Sequence, residues 1–178
     1  MGPASNDTLP HTITPKDGST VLIRRADPED FQMLFSMFGS LSADTMFRRF
    51  LRSQKRLSQE DVREMFRLDD RSVTSLKAIL QRDHEERAIG EARYATDSTG
   101  KLGEAAIVIA DEWQNRGLGT ALFSDLIADA KKQELSRMFA YFDVENRAII
   151  RVGQKVGLKL APRESGTDYS MTKAEILF

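Results

Sequence analysis

The spacing of hydrophobic positions changes period twice along this chain. Phe31, Leu34, Phe35 and Phe38 recur three and four residues apart, which predicts a helix with one apolar face. Asp27-Pro28-Glu29-Asp30 ahead of them supplies an N-cap, a proline at the first helical position and acids in the first turn. Ser42 before Thr45, Met46, Phe50 and Leu51 predicts a second helix, and Ser58-Gln59-Glu60-Asp61 before Val62, Met65 and Phe66 a capped third. A short strand, Val21 to Arg25, precedes all three. From Val73 the pattern turns to β-leaning runs: Val73 to Gln81, Ala88 to Thr96 and Glu104 to Ala110. Arg82 to Glu86 and Asp97-Ser98-Thr99-Gly100-Lys101 interrupt them with turn composition, so two hairpins in series are expected. Helical spacing returns at Leu118, Ala121, Leu122, Leu126, Ile127 and Ala130. Met138 to Asp143 is then an apolar strand, Asn146 to Val156 a helix stopped by Gly157, and Tyr169 to Thr172 a closing strand. Strand, helix, strand in this order implies a crossover and a parallel pair inside an otherwise antiparallel sheet.

Residues 1–19 carry Pro, Thr, Ser, Asn, Asp and Gly without apolar periodicity, so they are expected as a flexible tail, with one folded domain over 20–178. Lys plus Arg (26) nearly balance Asp plus Glu (27), leaving no overall field to gather nucleic acid or anionic membrane. Without cysteine there is no thiolate nucleophile or disulfide, and two histidines far apart make a metal site an unexpected feature. No apolar run reaches signal-peptide or membrane-span character, so a cytoplasmic protein is expected. The basic run over 42–67, with Arg48, Arg49, Arg52, Lys55, Arg56, Arg63 and Arg67, reads as a solvated helix face or a dock for an acidic protein surface. Trp113 reads as packing more than ligand contact.

The candidate chemistry lies at Gln114-Asn115-Arg116-Gly117-Leu118-Gly119, between a strand and a helix. Unpaired N–H groups and the positive end of the helix dipole meet there, which makes an anion site, and glycines let a phosphate approach. The same glycines could simply permit the turn. A Walker loop needs a Gly-Lys-Ser/Thr string that is absent. A dinucleotide loop needs a third glycine where Thr120-Ala121-Leu122 stand, and it follows its strand more closely. The form that fits is Gln/Arg-x-x-Gly-x-Gly/Ala after an Ile/Val strand.

On this motif the chain resembles the GNAT superfamily of N-acetyltransferases, from about Thr20 onward and most strongly over Ala105 to Leu158. The resemblance implies an α/β fold of the α+β type: a mixed, mostly antiparallel twisted sheet of six to seven strands with a parallel pair, flanked by four to five helices. It implies that Gln114, Asn115, Arg116, Gly117, Leu118, Gly119 and Thr120 hold the pyrophosphate of acetyl-CoA and that Ile107, Val108 and Ile109 line its pantetheine arm. Asn146 matches a cofactor-contacting asparagine, and a helix N-cap explains it equally well. Thr20 to Phe50, with Arg48-Arg49-Phe50, and Glu104-Ala105-Ala106-Ile107-Val108-Ile109 look like the bacterial Pat-type protein-lysine acetyltransferases, which implies Glu104 as general base. A base is needed because an amine of pKa about 10.4 is protonated at neutral pH, a handicap of about 4 to 5 kcal/mol. Glu91, on the adjoining strand, is the other candidate. Tyr141 stands where the ribosomal branch has glutamate, and Gly153 where many members have a tyrosine that protonates the leaving thiolate.

The expected reaction is therefore direct acetyl transfer from acetyl-CoA to a primary amine, a protein lysine before a small amine or amino-sugar, with a backbone N–H near Ile109 polarising the thioester. A non-catalytic acyl-CoA sensor is the alternative. Expected partners are acetyl-CoA and a protein substrate or small amine, without nucleic acid or membrane, in a monomer or homodimer.

Overall fold

The computed structural model describes residues 9–53, 56–65, 72–82, 85–162, 168 and 170–178. Its strands are β1 (His11–Ile13), β2 (Val21–Arg25), β3 (Val73–Arg82), β4 (Glu85–Thr96), β5 (Leu102–Ile109), β6 (Arg137–Asp143), β7 (Lys159–Leu160) and β8 (Met171–Leu177). They form one sheet in the order β1-β2-β3-β4-β5-β6-β8-β7, in which β5 and β6 are the parallel neighbours and the other pairs are antiparallel. The helices are α1 (Phe31–Ser40), α2 (Ala43–Phe50), α3 (Gln59–Met65), α4 (Leu118–Lys132) and α5 (Arg147–Lys155), with 3₁₀ turns at Pro28–Asp30 and Asp111–Trp113. The predicted helices, hairpin series and parallel pair are all present. Phe66, Arg67, Lys55 and Tyr169 lie outside the described residues.

Two short strands raise the sheet from the expected six or seven strands to eight. β7 is two residues long, too short to show a period. β1 lies inside the segment that composition assigns to a mobile tail, yet His11, Thr12 and Ile13 pair with Ile23, Leu22 and Val21. Leu9 and Ile13 pack against the main core and Pro15 is buried. Three residues and a few apolar contacts suffice for an edge strand, because the ladder supplies the rest.

Side-chain caps mark the 3₁₀ turn that leads into α1 and the start of α3. Asp27 accepts from Glu29 N at 3.0 Å while Asp30 accepts from Asp27 N at 2.8 Å, a capping box with Pro28 inside it. Ser58 and Asp61 exchange the same pair of bonds at the start of α3. Alternation along β5 then sorts its residues between two layers. Ile107 and Ile109 join the core under α4 and α5, where Leu118, Leu122, Phe123 and Leu126 are fully enclosed. Each such leucine contributes about 1.5 to 3 kcal/mol by leaving water. Val108 faces the other way and packs with Leu34, Met37, Phe38, Met46 and Val62 of α1, α2 and α3.

The face beneath α1, α2 and α3 also carries buried charge. Lys77 and Glu91 are register partners on β3 and β4, and neither has measurable exposure. Asp30 pairs with Lys77 and takes a two-pronged contact from Arg24, both bonds at 2.9 Å. These contacts fix the start of α1 to the sheet. At the start of α2, Asp111 accepts from Ser42 N (2.9 Å), Ser42 Oγ (2.6 Å) and Thr45 Oγ1 (2.7 Å), which ties that helix to the chain leaving β5.

Asp30→Ala leaves Lys77 buried without its counter-charge and should lower unfolding stability by about 3 to 5 kcal/mol in urea titration, with the largest loss expected near neutral pH. Burial by itself would raise the Asp111 carboxyl, but the bonds donated by Ser42 and Thr45 outweigh it and hold the group below its ordinary 3.8. A depressed carboxylate stabilises fully above its unfolded value and loses that contribution as pH falls through the folded value. Asp111→Asn should therefore lower the urea midpoint at pH 6, and the gap to the unaltered chain should close as pH is taken below about 4.

Candidate active site

β5 and β6 are paired only at Leu102↔Arg137, Gly103↔Met138 and Glu104↔Phe139. Beyond Glu104 they separate, although β5 continues to Ile109 and β6 to Asp143. A strand edge that loses its partner presents free N–H and C=O groups. Into this gap opens a cleft of about 360 Å³, lined along β5 by Ala106, Ile107, Val108 and Ile109, and on β6 by Tyr141 and Phe142.

The cleft ends at the turn into α4. Gly117 is the N-cap of α4 and adopts φ +92°, and Asn115 before it adopts φ +61°. At Gly117 the positive φ is what requires glycine. Gly119 differs: an added Cβ would make only ordinary contact, 3.6 Å from Ile109 Cγ1. Among the described residues no side chain caps α4, so its first-turn N–H groups keep no side-chain partner there and lie at the cleft mouth with the helix dipole behind them. Gln114 holds the turn in place. Its Nε2 donates to the Ile109 carbonyl and to Thr45 Oγ1, each at 3.1 Å, so one amide joins β5, the loop and α2. Asn146 accepts from Ile149 N at 3.3 Å as the N-cap of α5, and it also lines the cleft.

Of the residues singled out in the sequence, Ile107, Val108, Ile109, Gln114, Asn115, Gly117, Gly119, Thr120 and Asn146 border the cleft. Two of the loop residues do not. Leu118 is enclosed in the core, where the helical spacing of α4 puts it. Arg116 turns away to pair with Asp17 and stacks on Trp113 with its guanidinium carbon 4.8 Å from the ring centroid. Trp113 itself is buried as packing.

The two carboxylate candidates occupy different settings. Glu104 is exposed and sits at the last paired position before β5 and β6 part. Glu91 is fully enclosed, accepts from Ser75 Oγ at 3.0 Å and lies 3.7 Å from Arg49. Burial raises the Glu91 carboxyl above its ordinary range, opposed chiefly by the Arg49 charge. The same burial lowers the Arg49 guanidinium, against the Glu91 charge. Arg49 thus corrects the reading of the basic run as a wholly solvated face: its side chain is 7% exposed and contributes to the cleft wall with Thr45 and Arg48. Sequence reasoning also misses Lys16, Tyr141 and Lys155 in the lining. An i, i+3/i+4 count places Thr45, Arg48 and Arg49 on one side of α2 and is a signal available for Arg49; no comparable pattern marks Lys16, Tyr141 or Lys155. Gly153 is buried, and a Cβ there would stand 3.3 Å from Phe142 Cε2.

Comparison with known proteins agrees with this architecture. The acetyltransferase (GNAT) domain family matches residues 20–159. Acetyltransferase PA5475 of Pseudomonas aeruginosa is 31% identical over 133 residues, which span 75% of this chain and 72% of that protein. Among solved structures, the GNAT domain of S. lividans PAT superposes with TM-score 0.81 at 22% identity, covering 95% of this chain and 97% of that one. Spermidine N-acetyltransferase from Vibrio cholerae, in complex with CoA and spermine, gives TM-score 0.70 at 14% identity, covering 88% and 95%. At such identities the two structures speak to the fold, whereas the domain match spans most of the chain. The chain belongs to the GNAT acetyltransferase family.

Proposed function

We propose that the protein transfers an acetyl group from acetyl-CoA to a primary amine, most of all the side chain of a protein lysine, by direct attack. The observation that carries this reading is the parting of β5 from β6 after Glu104, with the α4 turn at the far end of the gap. An extended amide-bearing arm can pair with the free edge of β5, and a pyrophosphate can lie against the first-turn N–H groups of α4. Ile107, Val108 and Ile109 would then flank the arm, while Gln114, Asn115, Gly117, Gly119 and Thr120 hold the phosphate end and Asn146 contacts the arm. That the V. cholerae relative was solved with CoA supports the same assignment.

Glu104 is the proposed general base. It is exposed at the point where the strands converge, so an acceptor amine can reach it from solvent, whereas Glu91 is closed off behind Arg49 and Ser75. The amine, relieved of a proton by Glu104, attacks the thioester carbon; a C–N bond forms, the carbonyl electrons move to oxygen and return, the C–S bond breaks, and the nitrogen sheds its second proton to solvent to leave the amide. With Gly153 where an acidic tyrosine stands in many relatives, the thiol leaves as thiolate, which its pKa of about 8.5 permits. The preference for a protein lysine rests on the Pat-type pattern over residues 20–50 and at Glu104. Spermidine and amino-sugars are the competing acceptors.

Thiol release from acetyl-CoA should follow addition of a lysine-rich protein and fall about 10²- to 10⁴-fold in Glu104→Gln, while CoA affinity stays unchanged. Full activity in that variant would remove Glu104 from the role. Mass spectrometry of a cell lysate after incubation, beside a panel holding spermidine and amino-sugars, decides the acceptor: acetyl-lysine in proteins is the expected product, and a faster small amine would overturn it.

A further inference from the structure

We infer that residues 11–19, which precede the family-matched region, complete the phosphate end of the cleft, and that Lys16 is a ligand of the cofactor's phosphates. This rests on the acetyl-CoA reading above. The matched domain begins at residue 20, yet Lys16 borders the cleft together with Asn115, Gly117 and Gly119.

The segment is held where it can do this. Its first part is β1, paired along β2, and His11 Nε2 lies 2.9 Å from Asp125 Oδ2 on α4. Pro15 is buried, and Gly18 N donates to the Pro15 carbonyl at 3.0 Å across a turn in which Gly18 takes φ +79°. Asp17 then pairs with Arg116 of the loop itself and accepts from Ser19 Oγ at 2.7 Å. These contacts bind the segment to both α4 and the loop that opens it.

The charge arrangement says what Lys16 is for. In the sequence Arg116 is the loop's cation, but Asp17 neutralises it and Trp113 stacks on it. Lys16, one residue from Asp17, has no carboxylate partner among the described residues and borders the cleft. The ion pair therefore exchanges a loop cation for a cation delivered by the N-terminal segment. Lys155 and Arg151 of α5 border the same cleft. A polyanion seated at the α4 terminus would meet cations from both segments, and an ammonium on a flexible stem suits a phosphate as a point charge.

The test is CoA affinity by isothermal titration on the full chain, unaltered and as Lys16→Gln and Lys16→Arg. Lys16→Gln should bind CoA about 5- to 10-fold more weakly at low salt, Lys16→Arg within about twofold of the unaltered chain, and the gap should narrow in 0.5 M salt. Dephospho-CoA separates the two phosphate sources. A penalty that persists with it assigns Lys16 to the pyrophosphate, and one that disappears assigns it to the 3′-phosphate. Equal CoA affinity of Lys16→Gln and the unaltered chain, with equal thermal midpoints, would overturn the role of Lys16 and leave the cofactor reading standing. Absence of CoA binding by the unaltered chain would instead overturn the cofactor reading and this inference with it.

Discussion

The parallel pairing of β5 with β6 is bonded at three positions and then ends, and the rest of the site follows from that short ladder. Gly103 sits in the bonded stretch, and a side chain there would stand 2.7 Å from Leu135 Cδ2, so the residue lets the end of the α4 crossover close down on the strands. Past Glu104 no strand pairs with β5 on that side, and the separation becomes the cleft. Ladder bonds at the start of the pair and their loss beyond it are therefore equally part of the design.

The walls of the cleft depend on two polar anchors more than on apolar packing alone. Asp30, held by Arg24 and Lys77, sets the start of α1 on the sheet, and Asp111 with Ser42 and Thr45 sets the start of α2. Gln114 extends the second anchor by bonding both Thr45 and the Ile109 carbonyl. The turn into α4, the end of β5 and α2 are thus tied together through one side chain. Arg49 is enclosed by that placement against Glu91, so the cleft wall carries a buried ion pair.

Most features of the fold were legible because they are local. The capping boxes at Asp27 and Ser58, the alternation along β3, β4 and β5, and the helical spacing of α4 each arise within a few residues, so the sequence displays them directly. The same holds for the Gln114 to Gly119 turn and for Asn146 as the cap of α5. The short strands β1 and β7 were not legible, since two or three residues carry no period. The basic run over α2 misled for a related reason: charge alone does not reveal which arginine is pressed against a buried carboxylate from a strand some forty residues away.

By itself, the sequence determined the order and type of the longer elements, the family and the place of the glycine turn between β5 and α4, since backbone propensities, caps and the glycine motif act through neighbours in the chain. Only the tertiary structure decided which charged groups meet. It turned Arg116 away from the cleft toward Asp17, enclosed Glu91 and Arg49 together, left Glu104 exposed where the strands part, and brought Lys16 to the cleft from an unpatterned segment. Each of those outcomes is a contact between groups distant in the chain, and the energy of such a contact depends on burial and distance that no local pattern contains.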